Sequence, residues 1–118
     1  MSTKVTVVCE NTIKSSNHLV AEHGLSIFIE AEDSTLFDTG QGLGILHNIK
    51  ALNIDFDSIN RIILSHGHYD HTDGLLSVLK SCNHSIPVFL HKDALNNKIA
   101  CEGTGSTEFK RYIGISNK

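Results

Sequence analysis

Short apolar stretches separated by polar turns run along the chain, and their periodicity predicts alternating strands and helices. Segments rich in β-branched or alternating apolar residues predict strands at residues 4–9, 25–30, 35–38, 61–65, 86–90 and 109–115. Apolar residues at helical spacing, or an acidic residue at a helix start, predict helices over residues 44–52, 72–82 and 93–100. Strands come first and then alternate with helices, which predicts an α/β fold with an α+β-like start.

The connections between these segments predict a mixed sheet. Glu32 and Asp33 form a short charged tip between the second and third strands, as in an antiparallel hairpin. Residues 61–90 form a strand, a helix and a strand, which predicts a right-handed parallel unit. In its helix, Leu75, Leu76 and Leu79 are expected to face the core.

Composition narrows the classes of function that the chain can serve. Its 118 residues predict a single domain spanning 1–118. A net charge of −3 gives no electrostatic case for nucleic acid or an anionic membrane, and no apolar run reaches the roughly 18 residues of a membrane span. The cysteines at positions 9, 82 and 101 are odd in number and far apart, which indicates a reducing compartment and predicts a cytoplasmic location.

The strongest chemical signal is a histidine loop between two apolar segments, His66-Gly67-His68-Tyr69-Asp70-His71. Imidazole and carboxylate are the common nitrogen and oxygen ligands of Zn²⁺ and related cations. Three histidines and an aspartate in six residues therefore predict a metal site. The alternatives are a structural metal or histidines exposed without a metal.

Spacing indicates how this loop can hold metal. Side chains at positions i and i+2 of extended chain point the same way, so His66 and His68 can reach one ion. Asp70 and His71 lie where the chain turns into a helix and can reach a second ion. Two such ions would lie about 3.5–4 Å apart, and a water between them would become a nucleophile near neutral pH.

The motif Ser65-His66-Gly67-His68-Tyr69-Asp70-His71-Thr72 resembles the H-x-H-x-D-H signature of the metallo-β-lactamase superfamily. Leu36-Phe37-Asp38-Thr39-Gly40 resembles its upstream strand-turn motif. The phrases at residues 22–26 and 86–94 are similar to a branch of proteins related to an archaeal synthase that acts on a dihydropterin and a ribofuranosyl-aminobenzene phosphate.

This resemblance implies a fold and a set of roles. The superfamily fold is an αββα sandwich of two similar halves, and the chain resembles the N-terminal half, a mixed sheet with helices on one face. The resemblance implies that His66 and His68 ligate a first ion, and Asp70 and His71 a second. Asp70 would also orient the attacking water, and Asp38 would hydrogen-bond the ligand loop rather than the metal; the alternative for Asp38 is a turn carboxylate that binds local backbone.

Two further histidines are candidates for lining the site or contacting substrate. His91 ends a strand predicted to be parallel to the strand ending at Ser65, which places both ends at one sheet edge. His23 precedes Gly24 in a loop and is expected to face the site or the substrate. For His91 the structural alternative is a satisfied histidine at a strand-helix junction.

Three functions follow as hypotheses. The first is a metal-dependent hydrolase in which metal-bound hydroxide attacks an ester, thioester, amide or phosphoester of a small molecule, with zinc, iron or manganese as the cofactor. The second is a pterin-related synthase or transferase of the same superfamily. The third is an inactive, incomplete domain that binds metal weakly. Half of a sandwich leaves an apolar sheet face uncovered, which predicts self-association.

Overall fold

The computed structural model describes residues 2–13 and 18–115, and the sequence pattern accounts for most of the elements found there. The strands are β1 (Lys4–Cys9), β2 (Ser26–Glu30), β3 (Ser34–Phe37), β4 (Arg61–Ile63), β5 (Val88–Phe89), β6 (Ile99–Glu102) and β7 (Phe109–Tyr112). The α-helices are α1 (Ile45–Ala51), α2 (Tyr69–Thr72) and α3 (Leu75–Ser81). Short 3₁₀ turns occupy Phe56–Ser58, Lys92–Leu95 and Gly105–Thr107.

Five strands form one mixed sheet in the order β1-β2-β3-β4-β5. The pairs β1–β2 and β2–β3 are antiparallel, whereas β3–β4 and β4–β5 are parallel. The antiparallel start, the hairpin at Glu32 and Asp33, and the parallel unit over residues 61–90 are therefore confirmed. Strands β6 and β7 form a separate antiparallel hairpin.

One face of this sheet carries the core. The cross-strand row runs Thr6, Phe28, Leu36, Ile62 and Val88. Phe28, Leu36 and Ile62 are at most 1% exposed, and they belong to one apolar cluster with residues of α1 and α3. Side chains of the helices and of one sheet face thus exclude water together, as in a layered α/β domain.

Two predicted helices differ in the structure. The helix predicted at 72–82 begins only at Leu75, as α3, and Thr72 instead ends the short helix α2. Gly74 separates the two helices: it donates its N–H to the Gly40 carbonyl, and a Cβ there would lie 2.0 Å from the Thr39 carbonyl oxygen. Leu76 of α3 is 46% exposed, so its predicted place in the core is wrong.

The helix predicted at 93–100 is the second difference. That segment contains the 3₁₀ turn Lys92–Leu95, and then strand β6 pairs with β7. Asn96 and Asn97 are poor helix formers and end the turn, and the Ile99-Ala100-Cys101 stretch is completed by its cross-strand partners. A strand pattern of this length depends on a distant partner, which local spacing does not reveal.

The described helices are all short. None of them, within residues 2–13 and 18–115, is long and apolar enough to cross a membrane.

Candidate metal centre

The histidine loop lies at the carboxyl ends of the parallel strands. Asp38 follows β3 directly, the loop follows β4, and His91 follows β5 after one residue. The register pairs Phe37 with Ile63 and Ile63 with Phe89, so the three strand ends meet at one edge of the sheet. This is the edge at which open α/β sheets bind ligands.

Asp38 is the buried anchor of the loop. Its side chain is 0% exposed, and its backbone has a left-handed φ of 59° that turns the carboxylate toward β4. Asp38 Oδ1 accepts the Ser65 N–H at 2.7 Å, and Oδ2 accepts the Ser65 hydroxyl at 2.5 Å. Asp38 Oδ2 also lies 2.8 Å from His71 Nδ1. The carboxylate therefore holds both ends of the histidine loop.

These contacts determine which ring nitrogens are left for a cation. Since a carboxylate only accepts, His71 Nδ1 carries the proton and its Nε2 keeps a lone pair. The Ser65 hydroxyl donates to Asp38, so at 2.7 Å it accepts from His66 Nδ1, and His66 Nε2 also keeps its lone pair. Sequence reasoning gave Ser65 no role; the available signal was a hydroxyl directly before the first histidine.

Asp70 is packed between two imidazoles. Its Oδ2 lies 3.5 Å from His71 Nε2 and 3.2 Å from His23 Nε2. The His23 side chain is 65% exposed, whereas that of Asp70 is 15% exposed. Gly24 has φ +149° and a Cβ there would lie 2.3 Å from the Asp70 carbonyl oxygen, so only glycine lets the His23 loop approach this closely. The structure places His23 at the candidate site, and its contact with substrate stays a prediction.

The donor atoms converge in two overlapping groups. Among the described residues, ligand atoms of His66, His68 and Asp70 lie within 4.8 Å of one another, as do those of Asp38, His66 and His71. The His66 ring centroid is 4.6 Å from that of His68 and 4.2 Å from that of His71. The four residues predicted as ligands are thus brought together, in groups that overlap at His66. Their individual ligand roles stay predictions.

The electrostatics of the cluster favour neutral imidazole at His66. Desolvation, followed by the neighbouring charges of His71 and His68, lowers the pKa of His66 from 6.5. Because a metal binds the deprotonated ring nitrogen, a lowered pKa makes the binding form more available near neutral pH.

A second buried carboxylate braces the neighbouring loops. Glu22 accepts the backbone N–H groups of Gln41, Leu43 and Gly44 at 2.9–3.2 Å. Burial and the charge of Glu22 raise the pKa of the Cys9 thiol to about 12, so this thiol is a neutral core group. Glu22 therefore fixes the loop after Asp38 against the segment that carries His23.

His91 is placed apart from the donor groups. Its side chain is 72% exposed, its Nδ1 accepts the Asp93 N–H at 3.1 Å, and it belongs to neither group of candidate ligands in the described chain. It nevertheless lines a cleft that His66 also lines.

Residues 34–101 match the family model described as a Beta-lactamase superfamily domain. This chain belongs to the metallo-β-lactamase superfamily. The identification made from the histidine and Asp38 motifs is therefore confirmed.

Relatives support the same assignment. The chain is 39% identical over 105 residues to the 7,8-dihydropterin-6-methyl-4-(beta-D-ribofuranosyl)-aminobenzene-5'-phosphate synthase of Methanocaldococcus jannaschii, which covers 84% of this chain and 36% of that protein. It is 34% identical over 116 residues to an uncharacterized protein of the same organism, covering 97% of this chain and 41% of the relative. The chain thus spans well under half the length of these relatives.

Solved structures show the same fold. The Rm3 metallo-β-lactamase superposes with a TM-score of 0.52 at 27% identity, over 65% of this chain and 30% of that one. The metallo-β-lactamase fold protein YhfI from Bacillus subtilis superposes with a TM-score of 0.57 at 22% identity, over 79% of this chain and 39% of that one. The chain therefore has the mixed sheet and helices of half of the superfamily sandwich.

The donor set suits a divalent cation. Superfamily membership and the converging imidazole and carboxylate atoms both support divalent metal binding at this site. His66, His68 and Asp70 supply three protein donors, the number that an open catalytic zinc site uses beside a water. The carboxylate of Asp38 accepts hydrogen bonds from Ser65 and His71, so it is suited to orienting the metal ligands.

Proposed function

We propose that this chain carries the metal-binding centre of a metal-dependent hydrolase that acts on an ester, thioester, amide or phosphoester of a small molecule. The observation that supports it is the convergence of imidazole and carboxylate donors at the carboxyl edge of the parallel strands. Zinc suits this donor set best, and iron or manganese suits it as well. One ion fits the group of His66, His68 and Asp70, and Asp70 with His71 remains the proposed ligand pair of a second ion.

Each residue of the centre has a distinct task in this proposal. His66, His68, Asp70 and His71 hold the cation, which when bound lowers the pKa of a water and polarises the bond to be cleaved. Asp70 orients the attacking water and accepts its proton. Asp38 and Ser65 keep His66 and His71 in the tautomers that leave Nε2 available.

Activity of the metal-loaded protein tests the hydrolase directly. Protein loaded with Zn²⁺, and separately with Mn²⁺ and Fe²⁺, is assayed against generic ester, thioester, amide and phosphodiester substrates. We expect turnover of at least one class that is lost after dialysis against a chelator and restored by metal. Asp70→Asn is expected to lower kcat by at least about a hundredfold, because it removes both a proposed metal ligand and the group that orients the attacking water and accepts its proton. Turnover by fully chelated protein, or unchanged kcat in the variant, contradicts the proposal.

A second candidate is a synthase or transferase on a pterin or a phosphoribosyl compound. Its support is the 39% identity to a protein named as a dihydropterin ribofuranosyl-aminobenzene phosphate synthase. Thermal unfolding in the presence of a dihydropterin or a ribose 5-phosphate compound distinguishes the two. A raised Tm with either ligand favours the synthase. If neither ligand changes the Tm, this candidate is rejected.

The third candidate is a domain that binds metal weakly and catalyses nothing. It is the outcome if the loaded protein turns over no substrate of the panel and no ligand shifts its Tm.

The net charge of −3 also bears on partners, since it favours a small-molecule substrate over nucleic acid or an anionic membrane.

A further inference from the structure

A cleft adjoins the metal centre and is used by nothing described so far. Ser65, His66 and Gly67 form one wall, and His91, Asp93 and Lys98 form the other. Its volume is about 230 Å³. Sites that enclose a whole small ligand run from about 300 to 1,000 Å³, so this cleft suits one functional group of a larger molecule.

Backbone contacts fix the two walls against each other. A Cβ at Gly67 would lie 2.0 Å from the carbonyl oxygen of Ala94, and Ala94 itself is 5% exposed. The backbone carbonyl of Lys98 accepts the Ile113 N–H at 2.8 Å, which ties that wall to the β6–β7 hairpin. The cleft is therefore a feature of the fold, and its position beside His66 does not depend on mobile side chains alone.

Two residues of the second wall, Lys98 and His91, carry hydrogen-bond donors. Lys98 Nζ donates to the carbonyls of Asp93 at 2.6 Å and Asn96 at 2.8 Å, and an ammonium group has a third N–H to give. His91 Nδ1 accepts the Asp93 N–H at 3.1 Å, so the neutral ring carries its proton on Nε2 and offers a second donor.

The kind of group that fits follows from these donors. An ammonium acts as a point charge for phosphate oxygens, whereas planar carboxylates are best recognised by the fork of an arginine. The Asp93 carboxylate also lines the cleft, 3.7 Å from His91 Nδ1, and reduces its positive charge. The cleft therefore suits an anion bound with modest affinity.

We propose that this cleft binds a phosphate monoester group of the substrate, with Lys98 and His91 as donors. The proposal rests on the hydrolase function and narrows its substrate class to phosphorylated small molecules. The phosphate would be held beside His66, which is a predicted metal ligand and also lines the cleft.

Titration with inorganic phosphate tests the cleft without any turnover. Binding to the protein as purified is followed by calorimetry, and the metal content of every variant is measured first. Lys98→Gln is expected to raise the Kd for phosphate about tenfold, the value of one charged hydrogen bond. Asp93→Asn is expected to lower the Kd about threefold because a repelling charge is removed.

Lys92→Gln is the matched control, because Lys92 lies in the nearby turn Lys92–Leu95 and the substitution makes the same charge change outside the cleft lining. Its Kd is expected to stay within about twofold of the wild-type value. The proposal is overturned if Lys98→Gln binds phosphate like the wild type, or if Lys92→Gln loses as much. An equal loss for acetate and phosphate overturns the preference for phosphate.

Two safeguards keep the result interpretable. If circular dichroism shows that Lys98→Gln does not fold, the Kd of Asp93→Asn for phosphate decides, since this variant retains every backbone contact of the turn. If the protein binds phosphate through Lys98 but hydrolyses nothing, the hydrolase proposal is rejected and the anion site is supported. If the protein hydrolyses a substrate but does not bind phosphate, the hydrolase proposal is supported and the phosphate site is rejected.

Discussion

Asp38 combines three features that are unfavourable when taken alone: burial, a charge and a left-handed backbone. A strained φ costs on the order of 1–3 kcal/mol, and an unpaired buried carboxylate costs more. The contacts to Ser65 and His71 offset both costs, because each oxygen of the carboxylate is hydrogen-bonded. These hydrogen bonds thus position the histidine loop.

Replacing Asp38 by asparagine tests this role. The amide keeps one acceptor oxygen and turns its NH₂ donor either toward the Ser65 N–H or toward the His71 Nδ1–H and the Ser65 hydroxyl, so at least one of the three hydrogen bonds is lost. We expect metal affinity to fall about 10–100-fold, the usual effect of removing a group that orients ligands. Competition with a chromophoric chelator measures it.

Asp33→Asn is the control for this substitution, because the Asp33 carboxylate is 60% exposed and pairs only with Arg61 in the described chain. It is expected to leave metal affinity within about twofold. Wild-type affinity in Asp38→Asn would show that Asp38 is a turn carboxylate without influence on the ligands.

The lowered pKa of His66 predicts how stability depends on pH in metal-free protein. The unfolded chain takes up this proton near pH 6.5, whereas the folded chain resists it until a lower pH. The free energy of unfolding therefore falls as the pH drops through 6.5 and levels off below the lowered pKa.

Urea unfolding of chelated protein between about pH 8 and about pH 5 measures that slope. His66→Gln removes the titrating group, so its stability is expected to fall less over the same range. His84→Gln is the control, because this histidine lies outside the cluster. Its free energy of unfolding is expected to fall with pH as much as that of the wild type, since His66 is still present. Identical slopes in His66→Gln and the wild type would contradict the assignment.

At the scale of elements, the sequence pattern predicts a strand or helix correctly where the local periodicity agrees with the pairing that the element makes in the sheet. Strand β1 begins and ends where it is predicted, and the alternation of Ser26–Glu30 and the continuous run at Arg61–Ile63 give β2 and β4. The motif at residues 65–72 predicts which side chains of the histidine loop meet, and the parallel pairing predicts that His91 lies at the same sheet edge.

The rest depended on contacts between distant residues. Gly74 interrupts a helix because it packs on Thr39, and Gly67 lies against Ala94. Neither contact has a local signal, since a glycine in a sequence does not name what approaches it. The cleft lysine was missed for the same reason: Lys98 follows two asparagines and acquires its position from β6 and β7.

Gly67→Ala tests the contact between the histidine loop and the turn at Lys92–Leu95. The added methyl would overlap the Ala94 carbonyl, so the turn or the loop must move. We expect a loss of about 1–3 kcal/mol in the free energy of unfolding by urea, together with reduced metal content. Gly105→Asn is the control, since nothing lies within 4 Å of its Cβ position and asparagine tolerates a φ of +58°. Equal stability of the two variants would argue against the contact.

At the scale of the whole molecule, the second face of the sheet is the unusual feature. Its central cross-strand row runs Val7, Ile27, Phe37, Ile63 and Phe89, and all five are apolar. Val7 is 49% and Phe89 54% exposed, and no helix of the described chain covers this row. An apolar face of this extent favours association.

Charge placed on that face should reduce association of this chain with itself. Val7→Glu with Phe89→Glu is expected to shift the sedimentation coefficient toward that of a monomer, since both side chains are exposed and the core is untouched. Leu43→Glu with Leu95→Glu adds the same charge at exposed residues outside the row and is expected to leave association unchanged. A wild-type chain that is monomeric at every concentration would sink this prediction.

Elemental analysis of the purified protein determines whether the histidine loop holds a divalent cation. Protein purified without chelator is predicted to contain at least about one equivalent of zinc, iron or manganese per chain. The double substitution His68→Ala with His71→Ala is predicted to contain essentially none while keeping its circular dichroism spectrum. No metal in the wild type, or stoichiometric metal in the folded double variant, would show that the histidine loop is not the metal site.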